Sequence, residues 1–219
     1  MLPAKMASPI HTAFKIVSPF FRRSRMARFL STFSPGPDQR ILDVGGYVGF
    51  WKGSGLTSDM TLLNIHPIPT EGIEPNMHAA LGDGTKLEYK DKVFDIIFSN
   101  SVIEHLSTFE NQKRFANECM RVGKWLWIQT PAKTFFIEPH LLTPFIHFLP
   151  RSWQQKLIRN LTVWGWLTRP SKEQIDHMLE EIRLLTLAEM QSLFPGCEIW
   201  KEKFLGFTKS YIAVRKATS

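Results

Sequence analysis

The residues best suited to chemistry are small or polar, and they lie in three short segments that each follow an apolar run. They are Asp43, Gly45, Gly46 and Gly49 in the first segment, Asp83, Gly84 and Thr85 in the second, and Ser99, Asn100 and Ser101 in the third. Glycines directly after a strand let the backbone turn tightly and approach a ligand closely. Carboxylate, amide and hydroxyl groups can hold its polar atoms. The pattern therefore predicts a binding site for a polar ligand.

Two histidines are candidates for proton transfer. His140 follows Glu138 and Pro139, and His105 follows Glu104. A histidine whose ordinary pKa lies near neutrality can act as general base toward a hydroxyl group. A purely structural role is the alternative for both. Nothing else in the sequence marks a metal site, so we predict no bound metal.

Apolar runs and helical stretches alternate along the chain, which predicts an α/β fold with a mostly parallel sheet. Phe109–Val122 has the period of a helix, whereas the proline-rich stretch between Ile65 and Ala79 has no room for one. A short link at Gly206 demands antiparallel pairing of the last two strands. The predicted strands are Arg40–Val44, Thr61–Ile65, Ala79–Leu81, Val93–Ser99, Lys124–Thr130, Cys197–Phe204 and Phe207–Val214.

Residues 40–49 (RILDVGGYVG) and 82–106 (GDGTKLEYKDKVFDIIFSNSVIEHL) together resemble the cofactor half of class I S-adenosylmethionine-dependent methyltransferases, of the small-molecule, methyltransferase type 11-like kind. The resemblance covers about residues 38–131 and 197–215. It implies a Rossmann-like, doubly wound, mostly parallel seven-stranded sheet whose last strand is antiparallel. It also implies S-adenosyl-L-methionine as the cofactor.

The resemblance further implies a role for each polar segment. Asp83 would accept a hydrogen bond from the adenine amino group, and Ser99, Asn100 and Ser101 would hold the methionine end of the cofactor. Asn64 stands where the family usually has an acid that grips the ribose, which leads us to expect tighter binding in Asn64→Asp. Tyr47 replaces the middle glycine of the family's G-x-G-x-G.

Two segments lie outside this resemblance. Residues 1–37 form a basic, helical N-terminal segment, with Phe20–Phe33 predicted as an amphipathic helix. Residues 131–195, which contain six prolines and many aromatic side chains, are predicted to form a helical lid within a methyltransferase domain of residues 38–219. This apolar lid favours a small-molecule, sugar or lipid-linked acceptor, methylated at oxygen.

The distribution of charged residues along the chain limits which binding partners are expected. The net charge is +7, but residues 1–37 hold six basic side chains and no acid, so the rest is nearly neutral. A nucleic-acid partner is therefore not expected. The basic segment could pack beside the site, contact a membrane together with the aromatic lid, or act as a targeting peptide. Two cysteines and no membrane-spanning run favour a cytoplasmic protein.

The sequence leaves the oligomeric state and two other functions open. One alternative is a methyltransferase-like protein that binds the cofactor without turnover, which Asn64 and Tyr47 motivate. The other is a nicotinamide-dependent oxidoreductase, but its G-x-G-x-x-G motif would require glycine at position 50, which is Phe50.

Overall fold

The structure, a computed structural model, describes residues 22–216. Its strands are β1 (Arg40–Val44), β2 (Asp59–Asn64), β3 (Met77–Leu81), β4 (Phe94–Asn100), β5 (Gly123–Pro131), β6 (Ile137–Glu138), β7 (Thr143–Pro144), β8 (Glu198–Phe204) and β9 (Phe207–Arg215). Its helices are α1 (residues 22–33), α2 (Val48–Trp51), α3 (Phe109–Val122), α4 (Arg151–Leu161), α5 (Val163–Thr168), α6 (Lys172–Glu181) and α7 (Leu187–Leu193). Short 3₁₀ turns occur at Ile103–His105 and Ile146–Phe148.

Seven of these strands form one sheet in the order β3-β2-β1-β4-β5-β9-β8. The pairs from β3 to β5 are parallel, and β9 lies antiparallel between β5 and β8. The predicted fold class is therefore confirmed. Because β1, β2, β4 and β5 run in one direction, their carboxyl ends meet at the same edge, where open α/β sheets bind ligands.

The predicted elements are found with small shifts. β2 begins at Asp59 instead of Thr61, because Arg40 at the start of β1 pairs with it. β3 begins at Met77, since Met77 pairs with Met60. Residues 65–76 contain turns and no helix, as their prolines predict.

Helix α1 contributes to the core of the sheet. Phe29 is fully buried, and its ring meets the rings of Trp51, Phe98 and Trp127 at centroid distances of 5.0–5.8 Å. Edge-to-face contacts of this kind add to the stability that apolar burial provides. The helical prediction for this segment holds over residues 22–33; Phe20 and Phe21, and the basic Lys5 and Lys15, lie outside the described residues.

The chain divides into two compact units. Among the described residues, the sheet unit comprises residues 28–134 and 182–216, and the helical unit comprises residues 22–27 and 135–181. Within the helical unit, Leu141, Ile146, Ile158 and Ile175 form a small apolar core. Among the described residues, no helix is both long and apolar enough to cross a membrane.

Candidate active site

The glycine segment turns sharply as it leaves β1. Gly45 has a φ of +82°, a backbone conformation that side chains other than glycine rarely adopt, and its N–H donates to the Leu63 carbonyl at 2.7 Å. A Cβ atom at this position would lie 2.4 Å from Cγ2 of Val102. Glycine is therefore required here both for the turn and for the close packing of the loop after β4.

Gly46 is required for a different reason. A Cβ atom on Gly46 would lie 2.3 Å from Oδ2 of Asp43, so the loop passes directly over this carboxylate. The same Oδ2 accepts a hydrogen bond from the indole Nε1 of Trp51 at 2.6 Å. Asp43 is buried, and its hydrogen bond is to the protein. Its carboxyl group thus fixes the loop against α2, and the assignment of Asp43 to cofactor binding stays a prediction.

Burial raises the pKa of Asp43 from 3.8 to about 7, although the hydrogen bond from Trp51 lowers it. The folded protein therefore holds a proton on this group over a pH range in which the unfolded chain has lost it. Stability linked to Asp43 falls as the pH rises from about 4 to about 7, and it changes little above that.

Gly49 lies inside the short helix α2 and does not form a turn, contrary to expectation. Tyr47, the residue before this helix, has extended backbone, and its ring lies 6.4 Å from the ring of Phe50. A Cβ atom on Gly49 would approach the Tyr47 ring to 3.3 Å. Gly49 thus makes room for Tyr47.

Asn64 holds two loops together. Its Nδ2 donates to the Gly46 carbonyl at 3.3 Å, and its Oδ1 accepts from the His66 N–H at 3.2 Å. Both ends of the amide are thus engaged with backbone groups. The amide therefore acts as a clamp on the glycine loop, and the ribose contact stays a prediction, because the second N–H and the second lone pair of the amide are not used by these two bonds.

Asp83 forms a tight turn at the end of β3 and remains exposed. Its Oδ1 accepts from both the N–H and the hydroxyl of Thr85, at 2.8 and 2.9 Å. Among the described residues, its Oδ2 accepts no hydrogen bond, which leaves this oxygen for a ligand. Gly84 belongs to the same turn, and a Cβ atom there would lie 2.7 Å from Cγ1 of Val44.

The polar end of β4 divides into an inner and an outer part. Ser99 is fully buried and its hydroxyl donates to the Val44 carbonyl at 2.8 Å, so its side chain ties β4 to β1. Asn100 and Ser101 are partly exposed, and Ser101 has a φ of +57°. The Ser101 hydroxyl bonds to Oε1 of Gln129 at 3.0 Å.

Gln129 was not predicted as a site residue. The Ser101 N–H also donates to its carbonyl at 3.0 Å, so Gln129 shapes the loop after β4 through both its side chain and its backbone. The signal for it was present in the sequence. Gln129 and Thr130 are polar residues at the carboxyl end of an otherwise apolar strand, on the same edge as Asn100.

His105 ends a 3₁₀ turn that is anchored on both sides. The buried Gln112 donates from Nε2 to the carbonyls of Ile103 and Arg183, at 2.9 and 2.8 Å. The neighbouring Glu104 is also buried, and its Oε2 accepts from the Thr130 hydroxyl at 2.9 Å. These contacts fix the backbone that carries His105.

His140 lies in the helical unit beside a buried carboxylate. Its Nδ1 is 2.8 Å from Oε1 of Glu138, and the other carboxylate oxygen accepts from the Leu141 N–H. Glu138 is 4% exposed, whereas His140 is partly exposed. A carboxylate oxygen accepts from a ring N–H, so in the neutral imidazole this contact favours the tautomer with the proton on Nδ1.

The edge of the sheet suits S-adenosylmethionine in most respects. An exposed carboxylate on Asp83 can accept from an adenine amino group, and the Gly45 turn leaves backbone close to the strand ends. Asn64 offers a cofactor one amide N–H and one lone pair beyond the two bonds that it makes to the protein. The prediction that no metal is bound stays a prediction.

Comparison with protein families gives the class. Residues 20–191, well over half of the chain, match the model of a methyltransferase domain family. The chain belongs to this family. It is a class I S-adenosylmethionine-dependent methyltransferase, which agrees with the Gly45 turn, the Asp83 turn and the strand order. The nicotinamide-dependent alternative gains no support, and no curated protein matches at a significant level.

Solved structures share the fold at low sequence identity. YcgJ from Bacillus subtilis is 16% identical, with a TM-score of 0.54, over 83% of this chain and 71% of that one. A Bordetella parapertussis protein provisionally described as exported is 13% identical, with a TM-score of 0.54, over 90% and 67% of the two chains. A Galdieria sulphuraria protein provisionally named sarcosine dimethylglycine methyltransferase is 17% identical, with a TM-score of 0.52, over 80% of this chain and 61% of its own. At this low identity, these similarities show that the fold is shared and nothing more.

Proposed function

We propose that the protein methylates a hydroxyl oxygen of a small-molecule, sugar or lipid-linked acceptor, with His140 as general base. The contact between His140 and the buried Glu138 carries the proposal. Cytoplasmic location and peripheral contact with a membrane belong to the same proposal.

The Glu138 carboxylate acts on His140 in two ways. It holds the ring in one orientation through Nδ1, and its negative charge favours the imidazolium that forms when Nε2 accepts a proton. Its second oxygen is held by the backbone of Leu141, so the carboxylate itself has a fixed position. Such an arrangement prepares a histidine to deprotonate a hydroxyl group.

When bound, S-adenosylmethionine supplies an electrophilic methyl group on a sulfonium. The sheet unit then has to hold the cofactor, through the exposed carboxylate of Asp83 and the backbone around Gly45 and Ser101. Holding two reactants in line can contribute roughly 7–11 kcal/mol to catalysis, so base assistance need only be modest. His140 would take the hydroxyl proton at Nε2.

His105 is the second candidate for the base. Its backbone is held by the Gln112 network, which favours a fixed ring position. Its neighbour Glu104 bonds to Thr130. We place His140 first because its ring is held at Nδ1 by the buried Glu138 at 2.8 Å.

The apolar character of the helical unit supports the acceptor class. Exposed aromatic side chains include Phe145 and Phe148. These rings suit an acceptor with an apolar body, such as a lipid-linked or aromatic alcohol, better than a protein side chain.

The test measures S-adenosylhomocysteine formation by mass spectrometry with a panel of phenols, sugars and long-chain alcohols. With an active acceptor, His140→Ala should lower turnover by on the order of 10²–10⁴-fold and flatten its pH profile near neutrality. Glu138→Gln should give a smaller loss and a shifted profile. His177→Ala is the matched control, because His177 also pairs with a glutamate, Glu181, but is exposed on α6.

Different outcomes lead to different assignments. If His105→Ala lowers turnover and His140→Ala does not, the base is His105. If neither changes turnover, the acceptor is itself nucleophilic, as a thiol or carboxylate is, and the protein contributes alignment alone. If no acceptor supports turnover although the cofactor binds, the protein is a binding protein without turnover.

A further inference from the structure

The helical unit contains a short helix with apolar side chains on two opposite faces. The inner face of α5 is formed by Trp164, which packs on the small core, and by the buried Gly165. The outer face is formed by Val163, Trp166 and Leu167, at the spacing of three and four residues that places side chains side by side. Trp166 is 68% exposed.

Helices α4 and α5 form a tight hairpin that fixes this outer face. A Cβ atom on Gly165 would lie 1.9 Å from the Ile158 carbonyl oxygen, so only glycine allows α5 to approach α4 this closely. Thr162 joins the two helices: its hydroxyl accepts from the Gly165 N–H at 2.9 Å and donates to the Ile158 carbonyl at 2.6 Å. The exposed side chains therefore stand on a rigid support.

Helix α4 carries two further exposed apolar side chains. Trp153 and Leu161 are 59% and 63% exposed, whereas Ile158 and Leu157 point to the core. Exposed tryptophan and leucine side chains on adjoining helices are unusual for a surface that meets only water. We call the exposed set Trp153, Leu161, Val163, Trp166 and Leu167 the hairpin surface.

Basic residues predominate on the hairpin itself. Residues 139–172 contain no aspartate or glutamate, and their five basic residues are Arg151, Lys156, Arg159, Arg169 and Lys172. Arg151 pairs with Glu180 of α6 at 3.2 Å, so the positive charge of this surface rests on the other basic residues. Lys156 and Arg159 are exposed on α4, and Arg169 directly follows α5. Tryptophan and leucine next to lysine and arginine, without acids, is the composition of a segment that lies in the interface of an anionic bilayer.

We propose that the hairpin surface docks the protein onto an anionic lipid bilayer. The tryptophan rings and leucines enter the headgroup region, while the basic side chains contact lipid phosphates. A second copy of the chain or a protein partner would need acids opposite Lys156, Arg159 and Arg169, whereas an anionic bilayer supplies negative charge over its whole area. The proposal does not depend on the identity of the methyl acceptor.

Co-sedimentation of the full chain with vesicles tests the proposal. Binding is expected to vesicles of phosphatidylcholine and phosphatidylglycerol in equal parts, to be much weaker with phosphatidylcholine alone, and to fall at high salt. Trp166→Ser/Leu167→Ser should weaken binding by roughly tenfold or more, because two apolar side chains no longer leave water. Both positions are exposed, so circular dichroism and S-adenosylmethionine affinity should be unchanged.

Two controls make the test specific. Leu205→Ser removes a comparably exposed leucine from the β8–β9 turn and should leave binding intact. Lys156→Glu/Arg159→Glu should abolish preference for anionic vesicles, whereas Lys90→Glu/Lys113→Glu, with the same change in charge at exposed sites of the sheet unit, should preserve it.

Three results would overturn the proposal. One is equal binding to both kinds of vesicle, and another is an equal loss in the two charge-reversal variants. The third is a concentration-dependent dimer, seen by light scattering, that Trp166→Ser/Leu167→Ser disrupts while vesicle binding is unchanged, since the surface would then join two copies of the chain.

Discussion

The edge of the sheet and the helical unit use their polar and apolar side chains in opposite ways. At the edge of the sheet, Asp43, Asn64 and Ser99 all bond to the protein itself, and they shape backbone loops. In the helical unit, a single buried carboxylate holds His140, and large aromatic side chains remain exposed. The first region is built to present backbone, and the second to present side chains.

This difference teaches which substitutions matter in each region. A cofactor common to a whole family can be held by loop geometry, so changes at the edge of the sheet should act through the shape of the loops. An acceptor that differs among proteins is met by side chains, so changes in the helical unit should act on turnover or docking. The predictions below test this division.

Gly45→Ala should have the largest effect. The new Cβ atom would lie 2.4 Å from Cγ2 of Val102, and an alanine at this position would have to adopt a φ of +82°. The loop therefore has to move. Affinity for S-adenosylmethionine, measured by calorimetry, should fall by about 100-fold or more, because strain of about 1–2 kcal/mol adds to the displaced loop. Gly53→Ala has a similar φ of +72° but open space around it, and should keep full affinity. Equal losses would show that loop packing is unimportant.

Asp43→Asn should change how stability depends on pH. The wild-type free energy of unfolding should decline between pH 5 and pH 7, by at most about 1.4 kcal/mol per pH unit, since ionising the buried carboxylate is costly. In Asp43→Asn this decline should be lost, while the amide oxygen still accepts from Trp51. Urea unfolding at several pH values measures the decline in the wild type and in Asp43→Asn. Asp38→Asn, at an exposed position, is the control. If the free energy of unfolding of Asp43→Asn still declined with pH, the decline would have to come from another titrating group.

Asp83→Ala should weaken S-adenosylmethionine binding by roughly 1–3 kcal/mol, as expected for a polar group left without its partner. The variant also loses the turn that Asp83 makes with Thr85. Thr85→Ala separates the two effects, because it removes one bond of the turn and keeps the carboxylate. Similar affinity in both variants would mean that Asp83 acts only on the turn.

Asn64→Asp should give the smallest effect, and the sign of that effect distinguishes a ribose contact from a role in holding the glycine loop. The sequence alone predicts tighter cofactor binding, but Nδ2 donates to the Gly46 carbonyl, and a carboxylate would repel that oxygen. Affinity should therefore fall by about 1 kcal/mol. Asn76→Asp is the control. Asn76 lies just before β3, and its amide also donates to backbone, to the carbonyls of Leu56 and Ser58. Tighter cofactor binding in Asn64→Asp would support the hypothesis that residue 64 contacts the ribose.

The fold was largely predictable because its strands are continuous apolar runs separated by glycine and proline. β1 was placed at Arg40–Val44 and α3 at Phe109–Val122, where the structure has them. The starts of β2 and β3 were missed by two residues each. Those positions are set by pairing between strands, which a single run of sequence does not show.

The site was predictable in position but not in the direction of its side chains. The strand pattern places Asp43, Asn64 and Ser99 at the edge of the sheet where ligands bind. It does not show their hydrogen-bond partners, which are Trp51 for Asp43, Gly46 for Asn64 and Val44 for Ser99. The His140–Glu138 contact is different, because two residues separated by one proline can be seen together in the sequence. Gln129 was overlooked because its partner, Ser101, lies on another strand end.

The central claim is that the sheet unit alone holds S-adenosylmethionine. It is tested most directly by replacing residues 135–181 with a short Gly/Ser linker. The flanks already lie together, since the Lys133 N–H donates to the Leu185 carbonyl at 2.9 Å. Calorimetry should show cofactor affinity within about threefold of wild type, a change below ~1 kcal/mol. A folded deletion variant that no longer binds S-adenosylmethionine would contradict the account.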